Sequence, residues 1–245
     1  MKHSVYMTVL LALCLTGLHF RGPVPATAPA GKLRLVFHHQ VGKNPLELGA
    51  LCQNSLGDSI TIERFKYYVS HFTLTDSKGR QWKPDPQYFL IDEEIPGSKI
   101  ITLQVPDIDI GQIGFLLGVD SAKNVSGIQT GALDPLKGMF WTWNSGYIMA
   151  KLEGTAERSP SPGHRFTYHI GGFRFGMNTA RAITLQIPPA NQPLREIHIT
   201  ADINQWFSGA SQINIAETPV CHTPGSLAMR FADNYQNMFS IHSAR

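Results

Sequence analysis

Imidazoles and a closely spaced pair of indoles are the side chains in this 245-residue sequence whose placement points most directly to chemistry. Imidazole nitrogens are good ligands for copper and zinc. His39 continues the alternation of Leu33, Leu35 and Phe37, so strand geometry turns it inward, where a ring nitrogen needs partners. A core histidine bonded to backbone is the bland account of that position. His169 follows Tyr168 and precedes Gly171-Gly172, which predicts a strand end, where loops carry function. An exposed strand-end residue is its bland account. His71 and His222 are further candidates, whereas His198 alternates with Ile197 and Ile199 and faces away from their apolar side. Trp141 and Trp143 lie two apart, so in a strand both project to one face. As packing they fill a core; as chemistry they line a pocket or offer an oxidisable ring to a redox partner. Asp120, Asn124 and Asp134 are oxygen donors of the kind calcium takes, but the spacing is not that of an EF-hand, and such residues commonly shape turns.

Several familiar catalytic patterns are absent: H-E-x-x-H, C-x-x-C, G-x-S-x-G and a phosphate-cradling glycine loop. Asp134 and Glu153 could act as a hydrolytic carboxylate pair, but only their nearness in sequence supports it. The expectation is a binding protein and not an enzyme.

Such residues need strands to position them, and period-2 alternation supplies many. It recurs at Leu33–Phe37, Phe65–Val69, Ile101–Val105, Ile148–Leu152, Phe166–Ile170, Ile183–Ile187 and Ile197–Ile203, while Ile113–Val119 is nearly all apolar. Turn signals separate the runs at Ser77-Lys78-Gly79, Pro96-Gly97, Gly171-Gly172 and Pro188-Pro189. Ala228, Phe231, Ala232 and Tyr235 fall at i, i+3, i+4 and i+7, the period of one short helix near the C-terminus. The pattern predicts an all-β protein, a single-domain antiparallel β-sandwich over residues 31–245. Residues 1–30 read as a secretory signal peptide: Lys2, an apolar run from Val5 to Leu18, then Ala28-Pro29-Ala30. The expected location is the periplasm or the extracellular medium, with no membrane span after cleavage. Lys2 and Arg21 account for two of the three net positive charges, which leaves +1 and no basic stripe for nucleic acid. Cys52 and Cys221 could pair in an oxidising compartment or remain isolated thiols.

A set of blocks in one order carries a resemblance. Phe37-His38-His39-Gln40-Val41-Gly42 resembles an F-x-H-x-V-G opening, and Phe65-Lys66-Tyr67-Tyr68-Val69-Ser70 a K-x-Y-Y-hydrophobic-S strand. Gly118-Val119-Asp120-Ser121, Gly131-Ala132-Leu133-Asp134-Pro135 and Phe140-Trp141-Thr142-Trp143-Asn144-Ser145-Gly146-Tyr147 follow. Lys151-Leu152-Glu153-Gly154, Tyr168-His169-Ile170-Gly171-Gly172 and Ala232-Asp233-Asn234-Tyr235 complete it. Together they resemble the MbnP-like family, periplasmic proteins encoded beside methanobactin or copper-response genes. That resemblance implies a β-sandwich that binds copper(I), with a di-haem cytochrome peroxidase of the MauG type as partner. In some relatives a tryptophan becomes kynurenine, whose aryl amine joins histidine nitrogens on the metal. Carried onto this chain, the implied ligands are His39, His169 and one of Trp141 or Trp143. Copper-binding relatives often carry Asn-His where this chain has Asn124-Val125. The alternatives are a metal-free docking protein for a haem partner and a calcium-stabilised sandwich.

Overall fold

The structure, a computed structural model, describes residues 31–106, 108–142, 146–189 and 194–245; the expected leader and Trp143 lie outside the described residues. In chain order the strands are β1 (Gly31–Val41), β2 (Asn44–Pro45), β3 (Leu51–Gln53), β4 (Ser59–Asp76), β5 (Gln81–Trp82), β6 (Tyr88–Asp92), β7 (Ile100–Val105) and β8 (Ile110–Leu117). A short helix α1 (Ser121–Val125) precedes β9 (Phe140–Trp141), β10 (Gly146–Ala156), β11 (Arg165–Gly171), β12 (Arg181–Gln186) and β13 (Glu196–Asp202). Then come α2 (Asn204–Phe207), β14 (Val220–Cys221), α3 (Ser226–Tyr235) and β15 (Phe239–Ala244).

Alternation decides which side chains meet. β1 buries Leu33, Leu35, Phe37 and His39 and turns Lys32, Arg34 and His38 outward. It belongs to a five-stranded sheet of order β15-β13-β1-β2, with β7 also on β1. The second sheet runs β12-β8-β4-β10-β11-β14, with β3, β5 and β6 on β4 and β9 on β10. The inner faces pack on one another: the Phe37 ring meets Tyr67, Phe115 and Phe239 edge-on at centroid distances of 6.2, 6.2 and 6.3 Å. This is the expected all-β sandwich, with two departures from a purely antiparallel arrangement. β1 pairs with β13 in parallel, Phe37 opposite Ile199, and β11 pairs with β14 in parallel, Tyr168 opposite Cys221. In both pairs a long intervening chain makes the crossover possible, which a tight hairpin could not. The expected C-terminal helix is α3, with Ala228, Phe231, Ala232 and Tyr235 all buried. Cys52 and Cys221 are free thiols, not a disulfide.

The larger sheet is covered on its outer face too. Tyr68, Val119, Leu133, Met139, Trp141 and Tyr147 form a second apolar cluster there. The segment from Gly131 to Trp141 therefore folds over the strands that follow it. β10 is buried on both faces as a result, although Lys151 and Glu153 lie within it. Gly154 marks a register shift between β10 and β4. A Cβ at that position would stand 2.1 Å from the Thr61 carbonyl oxygen and 2.9 Å from Phe166 Cζ. Neither backbone nor core ring can yield cheaply, so Gly154→Ala is expected to destabilise the fold by about 3 kcal/mol or more. Chemical denaturation would check this, and a loss below 1 kcal/mol (on the order of a surface substitution) would contradict the close approach.

Candidate metal centre

The outer face of the larger sheet brings basic side chains into one row. Lys66 on β4 stands opposite Lys151 on β10, which stands opposite His169 on β11. A row of like charges across strands is unfavourable unless carboxylates intervene. Glu153, two residues further along β10, is the one that does so. Its Oε1 lies 2.5 Å from His169 Nε2, its Oε2 lies 2.5 Å from Arg64 Nη1, and Lys151 Nζ is 3.9 Å away. Lys151 also donates to the Gly138 carbonyl at 2.6 Å, which ties the covering segment to the sheet. Lys66 is held separately by Asp92 at 2.7 Å. The His169 hydrogen bond, aided by Lys151 and Arg64, lowers the Glu153 pKa to about 2 against the opposing effect of burial.

His169 is thus half-buried within a strand and not an exposed strand-end residue. The reason is the parallel pairing of β11 with β14, which sets His222 against it. The two rings stack with centroids 4.2 Å apart and planes 23° from parallel. Burial and the neighbouring His169 lower the His222 pKa, so its ring is neutral at neutral pH. His222 Nε2 is buried without a hydrogen-bond partner. Among the described residues it shares that condition only with Trp206 Nε1 and Asn204 Oδ1, both in or beside the core. The carboxylate of Glu153 fixes Nε2 of His169 as the N–H nitrogen, which leaves Nδ1 with the lone pair in the neutral ring. A carboxylate bonded to one nitrogen of a histidine is the usual support behind a metal ligand.

Trp141 lies on the same face. A Cβ at Gly171 would fall 2.7 Å from Trp141 Cζ3, so the indole rests on that glycine. His169 is the next residue on that face of β11, roughly 7 Å along the strand. Trp141 is only 5% exposed. A recess of about 210 Å³ lined by Gly172, Phe173, Arg174, Met177 and Pro224 opens beside these residues.

His39 occupies a different place. Its Nδ1 meets Glu93 Oε2 at 2.5 Å and its Nε2 meets the Tyr67 hydroxyl at 2.9 Å. Burial lowers the His39 pKa against the pull of Glu93, so the neutral ring donates to the carboxylate and accepts from the phenol. Burial raises the Tyr67 pKa well above its usual value, which keeps the hydroxyl protonated as donor. Lys99 completes the chain at 2.9 Å from Glu93. The partners of His39 are side chains, not the expected backbone, and both of its nitrogens are engaged. Tyr67 faces the inner core while His169 faces the other side of the same sheet. A single ion shared by His39 and His169 does not fit this arrangement.

The oxygen donors considered for calcium have turn and capping partners. Asp120 accepts from the Lys123 N–H at 2.9 Å and from the Tyr88 hydroxyl. Asn124 Oδ1 accepts from the Tyr147 N–H at 2.9 Å, and Asp134 caps Leu136 at 2.9 Å. His71 adopts φ of 52° at a bulge, with Nδ1 2.9 Å from Ser70 Oγ and Nε2 3.6 Å from Asp120. Among the described residues no three His, Cys, Asp or Glu side chains already stand grouped to hold an ion.

The sequence model of the MbnP family matches residues 30–223, a span that includes His39, Trp141, His169 and His222. The chain belongs to the MbnP family. Among solved structures, MbnP from Methylosinus trichosporium has a similar fold, with a TM-score of 0.59 over 87% of this chain and 98% of that one, at 15% identity. A search of curated proteins finds no match. In this member of the MbnP family, Val125 is 71% exposed on α1. α1 is tied through Asn124 to β10 at Tyr147, so Val125 lies near the Trp141 cluster.

Two outcomes follow from these contacts. Glu153→Gln keeps the shape but loses the charge, so it is expected to destabilise the protein at pH 7. Because the folded pKa is depressed, the stabilisation from Glu153 is present above the ordinary value of 4.5 and is lost as pH falls toward about 2. Melting curves of the two proteins should therefore converge between pH 4.5 and 2, and a pH-independent gap would contradict the assignment. His39→Ala leaves the buried Tyr67 hydroxyl without its partner and Glu93 held by Lys99 alone, and should cost about 3 kcal/mol in denaturant unfolding.

Proposed function

We propose that this protein is exported and binds copper(I) as cargo, with His169 and His222 as nitrogen ligands beside Trp141, and with Trp141 or Trp143 as the oxidised ring. The observation that carries this reading is the buried, unpartnered Nε2 of His222, stacked on a histidine whose other nitrogen is pinned by Glu153. Two imidazoles suit copper(I), which accepts few and soft or borderline ligands. An intact indole N–H only donates, so a third nitrogen from this face requires an oxidised ring. Kynurenine, with its aryl amine, would supply one. Glu153 orients His169 and raises its basicity. Burial keeps His222 neutral and ready to bind. The covering segment, held by Lys151 on Gly138, excludes water from the face below it.

Trp141 is buried, so its oxidation calls for electron removal through the protein by a partner. A di-haem peroxidase is the partner this reading requires. The loop beside the site presents Phe175, fully exposed, and Met177, 46% exposed, next to Arg174. Those side chains suit a docking contact.

Copper(I) titration against a competing chelator tests the reading. His169→Ala and His222→Ala should each weaken binding by about tenfold to a hundredfold or more, while His39→Ala should leave affinity unchanged in the fraction that folds. Intact mass of protein from its native compartment should show the kynurenine gain, lost in either Trp141→Phe or Trp143→Phe. Copper(I) affinity indifferent to both His169 and His222 would overturn the assignment.

A further inference from the structure

A second group of imidazoles lies on the opposite side of the molecule, on the outer face of the five-stranded sheet. His38 on β1, His198 on β13 and His242 on β15 occupy three adjacent strands. His38 Nε2 stands 2.8 Å from His198 Nδ1, with ring centroids 5.1 Å apart and planes 15° from parallel. His242 is next, its ring centroid 5.7 Å from that of His38. His198 Nε2 lies 2.8 Å from Glu196 Oε1, and Glu196 is itself held by Arg34 and Arg245, each at 2.8 Å.

These contacts fix protons. The Glu196 carboxylate can only accept, so Nε2 of His198 carries the hydrogen and Nδ1 of the neutral ring carries the lone pair. The short contact between His38 Nε2 and His198 Nδ1 then holds a single proton between two nitrogens. Two nitrogens bound to one ion at 2.0–2.1 Å stand about 2.8–3.4 Å apart, from right-angle to tetrahedral geometry. Nitrogens already 2.8 Å apart sit at the short end of that range. Replacing the shared proton by a metal ion needs His38 to take its other tautomer and both rings to turn so that their lone pairs converge on the ion. His242 is exposed on an edge strand and can rotate in as a third ligand. Glu196 behind His198 repeats the carboxylate support seen behind His169.

We propose that His38, His198 and His242 form a surface site for a divalent first-row transition ion, with Cu²⁺ bound most tightly and Zn²⁺ next. The ordering follows the general affinity of nitrogen sites for divalent ions. His242 lies beyond the residues matched by the family model, so the group is not a part of that match. The site shares no residue with the His169 and His222 face, so either can fail without the other.

Cu²⁺ titration under non-reducing conditions, read by isothermal calorimetry and by electron paramagnetic resonance, tests it. The background protein is the His169→Ala/His222→Ala variant, which lacks the proposed copper(I) ligands. One Cu²⁺ should bind with nitrogen hyperfine structure. His38→Gln and His198→Gln should each weaken binding by about a hundredfold, and Glu196→Gln by about tenfold. His242→Gln should reduce both the affinity and the number of coupled nitrogens by one. Melting temperature of each variant reports folding; the exposed His38 and His242 should change it little, while Glu196→Gln, which weakens the pairing with Arg34 and Arg245, should lower it most. Absence of Cu²⁺ binding in the background protein, or binding unaltered by His38→Gln and His198→Gln, overturns the proposal.

Discussion

β10 is enclosed on both faces along nearly its whole length, yet it carries Lys151 and Glu153 at its centre. Charges taken from water must be paired, because an uncompensated one costs several kcal/mol (roughly 3–5 when a partner is removed). That constraint organises the outer face of the larger sheet. Glu153 answers the charges of Arg64 and Lys151 and the His169 ring together, while Lys151 donates its hydrogen bond to the Gly138 carbonyl. The covering segment is therefore anchored by a charge-assisted bond as well as by the apolar cluster around Trp141 and Tyr147. Remove Glu153 and the orientation of His169, the seat of the covering segment and the pairing of Arg64 loosen together.

The same sheet separates two histidine environments that look alike on paper. His39 and His169 both bond a carboxylate at 2.5 Å. Their second nitrogens differ. On the inner face, Tyr67 fills the second position of His39, and aromatic rings of Phe65 and Tyr67 close the space. On the outer face, the neighbour of His169 is another imidazole with an unsatisfied nitrogen. His39 points from β1 of the smaller sheet into the core against Tyr67, whereas His169 points from β11 to the outer face of the larger sheet, so the two imidazoles meet different surroundings.

Local alternation made much of this legible. Leu33, Leu35, Phe37 and His39 declared the inner face of β1, and the spacing from Ala228 to Tyr235 declared α3. Membership of the MbnP family was legible from ordered blocks, and the family match bears it out. What alternation does not encode is which distant segments meet. β14 is two residues long, and its parallel pairing with β11 puts His222 on His169 across a separation no local pattern signals. The parallel pairing of β1 with β13 likewise sets His38 beside His198, although each strand alone showed only that its histidine pointed away from the core. Cys52 and Cys221 illustrate the same limit, since two thiols far apart in sequence gave no sign of the strands that hold them apart.

His222 also links the site to stability. A buried nitrogen with no partner carries a desolvation penalty of about 1–3 kcal/mol. The fold tolerates it because the stacked ring, the neighbouring β11 backbone and the core beneath Tyr168 and Cys221 hold the segment regardless. Under the copper(I) proposal, an ion accepting both imidazole lone pairs would remove the penalty and bind only the folded arrangement, so ligation and stability would rise together. Filling Nε2 with an internal hydrogen bond, as Tyr67 does for His39, would give a more stable apo-protein and a poorer ligand. The contrast between the two histidines thus rests on a single hydrogen bond: both nitrogens of His39 are engaged within the fold, whereas Nε2 of His222 is buried without a partner.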